Sequence, residues 1–263
     1  MRIRPWAVAT AVLALAAVAS CSGPAATADP RTELAGQVEQ ARSAGSVLFD
    51  TRYESPQTPP LAFTGGLAWA DGLTGEISGS GMTVRITRDA LYSPLPQGLP
   101  AMGPLAGKSW IEQSFADLEQ QFGPLGTTFR AAFERTDPIR SAALLVQAGD
   151  LRVVGEEDRG GVPTTHYAGT LRFHEAVVDL RLGLDQATLD GLRAQYPGDD
   201  SQTLDLWVDS DGKPVRAENR APDGTVISAD YRDYGAPVSV TAPPADEVVG
   251  ADQLRSAFGL PGN

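Results

Sequence analysis

Cysteine is almost absent: Cys21 is the single one in 263 residues. An intramolecular disulfide and a Cys-based zinc site are both excluded. There are two histidines, His166 and His174, so a two-histidine metal site would have to be assembled across separate elements. Basic residues are scarce beside acidic ones, 21 against 33, for a formal charge of −12. That balance argues against a nucleic-acid binder, which needs a positive footprint. It also disfavours adhesion to anionic lipid through a basic patch. No apolar run reaches the length of a membrane-spanning helix, and no repeat of about 20 to 50 residues stands out. Apolar residues make up 42% of the chain, enough for a core well beyond the marginal size.

The lone cysteine acquires meaning from what precedes it. Arg2 and Arg4 form a positive start, and Trp6 to Val18 is almost wholly small and apolar. This length suits a secretory leader. Val18-Ala19-Ser20-Cys21 then matches a bacterial lipobox: an aliphatic residue, two small ones and a cysteine. In that pattern the thiol receives a diacylglycerol, the chain is cut before it, and the freed amino group can take a further acyl chain. Two or three acyl chains meet the two-signal requirement for stable anchoring, at about 0.8 kcal/mol per buried methylene. Ser22 to Pro30 is small and polar and reads as a flexible tether. Loss of Arg2 and Arg4 with the leader leaves 19 basic residues and a charge of −14. The expected organisation is a leader over 1–20, a lipidated Cys21 with its tether over 21–31, one folded domain over 32–249 and a tail over 250–263. The expected location is the outer face of the cell membrane.

Within the domain, Thr32 to Ala44 places Leu34, Val38 and Ala41 at helical spacing before Gly45. Strand patterns follow at Ser46–Glu54, Leu61–Trp69, Gly75–Gly79, Met82–Thr87 and Ala90–Tyr92. Pro94 to Gly107 is rich in proline and glycine and reads as a long loop. Ser109–Gln113 reads as a short strand and Phe115–Phe122 as a helical turn or two. Asp137-Pro138 caps and opens a second helix, with Ile139, Ala142, Ala143 and Val146 as its buried stripe. Leu151–Glu157 and Val162–Phe173 flank a hairpin signal at Asp158-Arg159-Gly160-Gly161. Asp185–Tyr196 is helical. Thr203–Val208, Pro214–Ala221 and Thr225–Arg232 form an antiparallel meander. The sum is an α+β fold: an antiparallel sheet of eight or more strands with a few helices on one side.

No motif supports catalysis. Gly103 to Ser109 resembles a phosphate loop but is one residue short between its glycines and follows no buried strand. His174-Glu175 opens like a zinc-protease helix and then has valine where the second histidine must stand. His174 is expected to cap a strand end and His166 to lie mid-strand, satisfied by its neighbours. Ser80 lacks the glycine of a nucleophile elbow. Asp209-Ser210-Asp211-Gly212 resembles the start of a calcium loop without its later ligands, and lies where a hairpin turn is needed. The chain reads as a non-enzyme, with neither metal nor cofactor.

A family likeness rests on four segments: the lipobox and tether; G-V-P-T-T-H-Y-A-G-T-L at Gly161–Leu171; L-W-V-D-x-D-G-K-P-V-R-A at Leu206–Ala217; and Y-x-x-Y-G-x-P-V-x-V-x-A-P-P at Tyr231–Pro244. Together they resemble the actinobacterial LppX/LprAFG lipoproteins, similar in fold to the LolA and LolB carriers. The resemblance implies an incomplete antiparallel β-barrel, a curved sheet with helices on its concave side, enclosing an apolar cavity for acyl chains. It implies a protein that binds or transfers lipid or glycolipid in the cell envelope. Val84, Ile86, Leu204, Leu206, Val208, Leu67 and Trp69 are the candidate cavity wall. Ile139, Leu144 and Val146 of the second helix would close the cavity or plug it. For each of these, ordinary core packing is the competing role. The alternative function is an envelope sensor or scaffold that binds a protein partner through the same fold.

Overall fold

The computed structural model describes residues 29–70, 72–96, 98, 103–122, 136–172 and 201–258. Cys21 and the leader, His174 and the helix expected over Asp185–Tyr196 lie outside the described residues. In chain order the elements are α1 (Pro30–Arg42), β1 (Ser46–Ser55), β2 (Thr58–Ala68), β3 (Thr74–Gly79), β4 (Met82–Ile86), β5 (Ala90–Pro94) and β6 (Trp110–Ser114). Next come α2 (Phe115–Phe122), α3 (Pro138–Gln147), β7 (Arg152–Arg159), β8 (Val162–Arg172), β9 (Ser201–Asp209), β10 (Pro214–Arg220), β11 (Val226–Arg232), β12 (Val248–Gly250) and α4 (Ala251–Ala257).

Among the described residues, twelve strands share one curved sheet that does not close into a barrel, in the order β12-β6-β5-β4-β3-β2-β1-β11-β10-β9-β8-β7. Every pairing is antiparallel except β12 with β6. The meander of β9, β10 and β11 is present as read from the sequence. Its last strand pairs with β1, from Leu48 opposite Arg232 to Glu54 opposite Val226. That pairing joins the two halves of the chain into one sheet. Between β7 and β8, Gly160 and Gly161 both take positive φ, 65° and 88°. A two-residue turn whose twist matches the strands demands this conformation, and glycine adopts it without strain.

Strand alternation sorts the side chains onto two faces. On β1, Val47, Phe49 and Thr51 are buried toward the helices while Asp50 and Arg52 are exposed. Helices α1 and α3 pack together and on this inner face, where Leu34, Phe49, Tyr167, Leu206 and Leu145 are fully buried. Each such side chain contributes about 1.5–3 kcal/mol through removal of apolar surface from water. Asp137 caps α3, its carboxylate accepting from the Ile139 N–H at 2.8 Å, with Pro138 in the first turn. The buried stripe of α3 differs from the expected one. It runs through Ile139, Ser141, Ala142 and Leu145, while Ala143 and Val146 are only half-buried. The reason is that α3 packs against both the sheet and α1, so its buried face is set by both neighbours. Arg31 of α1 donates to the carbonyls of Val146 and Ala148 (the latter at 2.9 Å), satisfying the open C-terminal end of α3.

After β11 the chain runs along the opposite, outer face toward β12. Val238 lies there against Gly66 and Leu48; a Cβ on Gly66 would stand 3.0 Å from both side chains. Strand β12 then pairs Val249 with Ile111, and Val249 is fully buried. The boundary drawn at Val249 therefore falls inside a strand, and α4 beyond it packs on β6 and β12. Three residues in parallel pairing leave no alternation to read, which is why the sequence reading missed this strand.

Candidate functional site

The sheet register places one continuous row of side chains across the inner face. Reading from β8 to β4, it runs Tyr167, Leu206, Ala217, Ala229, Thr51, Phe63, Gly79, Met82, each directly opposite the next. Three consecutive members, Ala217, Ala229 and Thr51, are small, and larger side chains flank them on both sides. The row dips there, and the dip is a pocket of about 260 Å³. Ser141 and Leu144 of α3 and Thr136 before it form one wall, and Leu171, Leu204, Tyr53, Ile227 and Tyr231 contribute the others.

The charged groups that border this pocket are engaged elsewhere. Glu218 is paired with Arg216 and Arg220, and Asp223 accepts from the Thr225 N–H at 2.8 Å. At the rim, the Asn219 amide donates to the Gln202 side-chain carbonyl at 2.8 Å. Inside, the Thr51 hydroxyl is buried and has no hydrogen-bond partner among the described residues. A buried polar atom left unpaired costs free energy that a bound group could recover. The Tyr231 hydroxyl is held well above its ordinary pKa by burial, with the nearby Asp137 carboxylate adding to the shift. It therefore stays neutral and suits an apolar neighbour. The pocket is a recess in which apolar side chains alternate with hydroxyl and amide groups.

Of the ten cavity candidates, Leu144 and Leu204 line this pocket. Leu67, Ile139, Leu206 and Val208 belong to the hydrophobic core, as does Leu204 itself, with Trp69 and Val146 packed against it. Ile86 is buried apart from that core and Val84 is half-buried. Sequence reasoning missed Ala217, Ala229 and Thr51. Their signal lies in the register, because alanine at alternate strand positions says nothing until its opposite neighbour is also known to be small.

The outer face carries a second constellation. His166 places Nδ1 2.8 Å from Glu157 and Nε2 2.8 Å from Asp205. Its ring stacks on Trp207, whose indole N–H donates to Glu157 at 2.9 Å. Arg159 covers the Trp207 ring at 4.0 Å. Glu157 is held below the ordinary carboxylate range, first by the Trp207 N–H and then by His166. His166 is thus satisfied mid-strand by its neighbours, as its position suggested. The Asp209-to-Gly212 segment is a turn: the Asp209 carboxylate accepts from the N–H groups of Asp211 and Lys213, both at 2.9 Å. None of the described helices is long and apolar enough to cross a membrane.

No family model matches the chain. In sequence it is 28% identical, over 265 residues, to a putative lipoprotein of Streptomyces coelicolor, covering 91% of this chain and 84% of that protein. It is 26% identical over 261 residues to an uncharacterized 31.2 kDa protein of Streptomyces griseus, covering 89% of this chain and 84% of the relative. In structure it is similar to LprF from Mycobacterium bovis, with a TM-score of 0.50 at 13% identity over 81% of this chain and 96% of the other. The resemblance to actinobacterial LppX/LprAFG lipoproteins read from the sequence holds in these comparisons. The fold, a curved sheet left open with helices on one face, is of that kind.

Proposed function

We propose that this chain is an exported lipoprotein, held to a membrane by acyl chains on Cys21, that binds lipid non-covalently in the pocket over Ala217, Ala229 and Thr51. The observation that carries this reading is the row of three small side chains flanked by large ones, which leaves an apolar recess beneath α3. At about 260 Å³ the recess lies below the range of about 300–1,000 Å³ typical of whole-ligand pockets. It suits part of one acyl chain, with the remainder of the lipid at the rim by Gln202 and Asn219. Leu144 and Leu204 contact the chain in this reading, Leu67, Trp69, Ile139, Val146, Leu206 and Val208 belong to the core packed around it, and Val84 and Ile86 take no part. The lipobox and the similarity to a putative lipoprotein support the anchoring. The role is carriage or presentation of lipid, with no covalent step.

Native mass spectrometry tests this on the chain from residue 29 onward, secreted from a lipid-rich host. The expected spectrum contains a protein–lipid complex that loses its lipid on activation in the gas phase. A spectrum of bare protein only, unchanged by added phospholipid, would remove the reading. One observation favours a second reading, an envelope scaffold that binds a protein partner. Among the described residues strand β7 ends the sheet, and Val153 and Val154 on it are 43% and 51% exposed. Such an edge can accept a partner strand, although the register shift at Gly155 shortens the stretch available.

A further inference from the structure

The pocket row and the row beside it continue past the recess onto exposed surface. In the second row Ile227, Tyr53 and Leu61 stand directly opposite one another on β11, β1 and β2. In the first row Phe63, Gly79 and Met82 continue beyond Thr51 on β2, β3 and β4. All belong to the inner face, since Thr51, Tyr53 and Ile227 themselves line the pocket. Leu61, Met82 and Ile227 are 39%, 45% and 37% exposed. These are three of the seven large hydrophobic side chains that stand exposed among the described residues. With strands about 4.8 Å apart, the four steps from β11 to β4 span about 19 Å. The result is an apolar lip at the end of the sheet that carries the β1–β2, β3–β4 and β10–β11 turns.

We propose that this lip is a docking surface for a lipid bilayer and the route by which an acyl chain enters the pocket. The inference rests on the lipid-binding reading and adds the direction of entry and the residues that make it. Two observations select a bilayer over a protein partner. First, the lip and the pocket are one uninterrupted surface: Tyr53 and Ile227 belong to both. A chain leaving a bilayer at Leu61 and Met82 would pass Phe63, Tyr53 and Ile227 on its way to Ala229. A protein partner seated there would cover the mouth of the pocket. Second, Cys21 stands nine residues before Pro30, where α1 begins. At about 3.3–3.6 Å per residue the tether can reach about 30 Å. An anchored domain is therefore held within about 30 Å of a bilayer. Exposed apolar side chains on a domain kept at a membrane surface bind by burying their area in the interface.

The test uses the full acylated chain reconstituted in phosphatidylcholine vesicles. Leu61→Trp introduces an emitter at the lip, and vesicles of brominated phosphatidylcholine quench tryptophan that enters the acyl region. The added emission is expected to fall by half or more relative to unbrominated vesicles, beyond the change shown by the native tryptophans. An unquenched signal from the introduced indole overturns the proposal. A second measurement follows transfer of pyrene-labelled phosphatidylcholine from vesicle to protein. The double variant Leu61→Asp with Met82→Asp should slow transfer about tenfold, while lipid loaded from detergent micelles reaches the same occupancy. Neither residue lines the pocket, so equilibrium binding reports the pocket and transfer rate reports the lip. If the aspartates lower the melting temperature, Leu61→Ser with Met82→Ser replaces them. Unchanged transfer with normal loading overturns the lip and leaves the pocket standing. Absence of loading in the wild type, together with quenching of Leu61→Trp, overturns the pocket reading and leaves the lip as a membrane contact.

Discussion

His166 and Trp207 stack with ring centroids 4.3 Å apart and planes 20° from parallel, on the face of the sheet turned away from the pocket. The pair lies on adjacent strands, directly opposite in register, and Trp207 is almost fully buried beneath Arg159. An outer face built this way is a second packed layer that braces β8 against β9, the strand carrying Leu204 and Leu206.

Replacement of that indole tests the brace. Trp207→Ala removes the stack, the cation–π contact and the donor to Glu157 together. It should destabilise the domain by about 3–5 kcal/mol, measured by urea denaturation. Lipid retained per folded molecule should stay at the wild-type level, because Trp207 points away from Ala217 and Thr51. Loss of lipid at a temperature where the variant is fully folded would contradict the division of the sheet into bracing and binding faces.

Acid stability has an identifiable source beside α3. Asp150 accepts from the Thr170 backbone N–H at 2.6 Å and from its hydroxyl at 2.8 Å. These bonds, the backbone one first, hold its carboxyl below the ordinary value of 3.8. A depressed folded-state pKa contributes stability above the unfolded value, lost as pH falls through the folded one. Asp150→Asn should therefore lower the melting temperature at pH 7, and the difference from wild type should close as pH falls below 3.8. A difference that persists unchanged to about pH 2 would place the effect in packing rather than ionisation.

Gly65 fixes how closely β2 and β3 approach. A Cβ there would stand 2.4 Å from the Glu76 carbonyl oxygen and 2.9 Å from the Phe49 ring. Backbone cannot yield as a flexible side chain can, so Gly65→Ala should cost at least about 1–3 kcal/mol. Gly66→Ala meets only the Leu48 and Val238 side chains, at 3.0 Å, and should cost less. The ranking of the two melting temperatures checks this, and equal values would count against the backbone contact as the cause.

The elements with strong periodic or turn signals were legible without coordinates. Asp137-Pro138 opened α3 where expected, and Gly160-Gly161 and Asp211-Gly212 marked their hairpins. Strand β12 was not legible, because a three-residue parallel pairing carries no alternation. The pocket was legible only in part. Leu144 and Leu204 were identifiable as apolar residues on suitable elements, but bulk alone does not separate a cavity wall from a filled core. Leu206 stands two residues from Leu204 on the same face and is closed in by Tyr167 and Ala217, whereas Leu204 stands opposite Asn219 at the rim. The distinction comes from cross-strand neighbours, which only pairing reveals. Ala217 and Ala229 became site residues for the same reason: each is small, and each faces another small residue.

That pairing supplies the sharpest test of the binding site. Ala229 lies between Ala217 and Thr51 in the row that forms the recess. Ala229→Phe places a ring in space that is already open, so the strain of overpacking a filled core is largely avoided and the melting temperature should change by only a few degrees. The ring would occupy much of the recess, and lipid retention in native mass spectra should fall at least tenfold. Ala229→Ser keeps the volume and should retain lipid like the wild type, separating loss of space from loss of the alanine. A phenylalanine variant that folds and keeps its lipid at full occupancy would show that the ligand does not enter the space between Ala217 and Thr51.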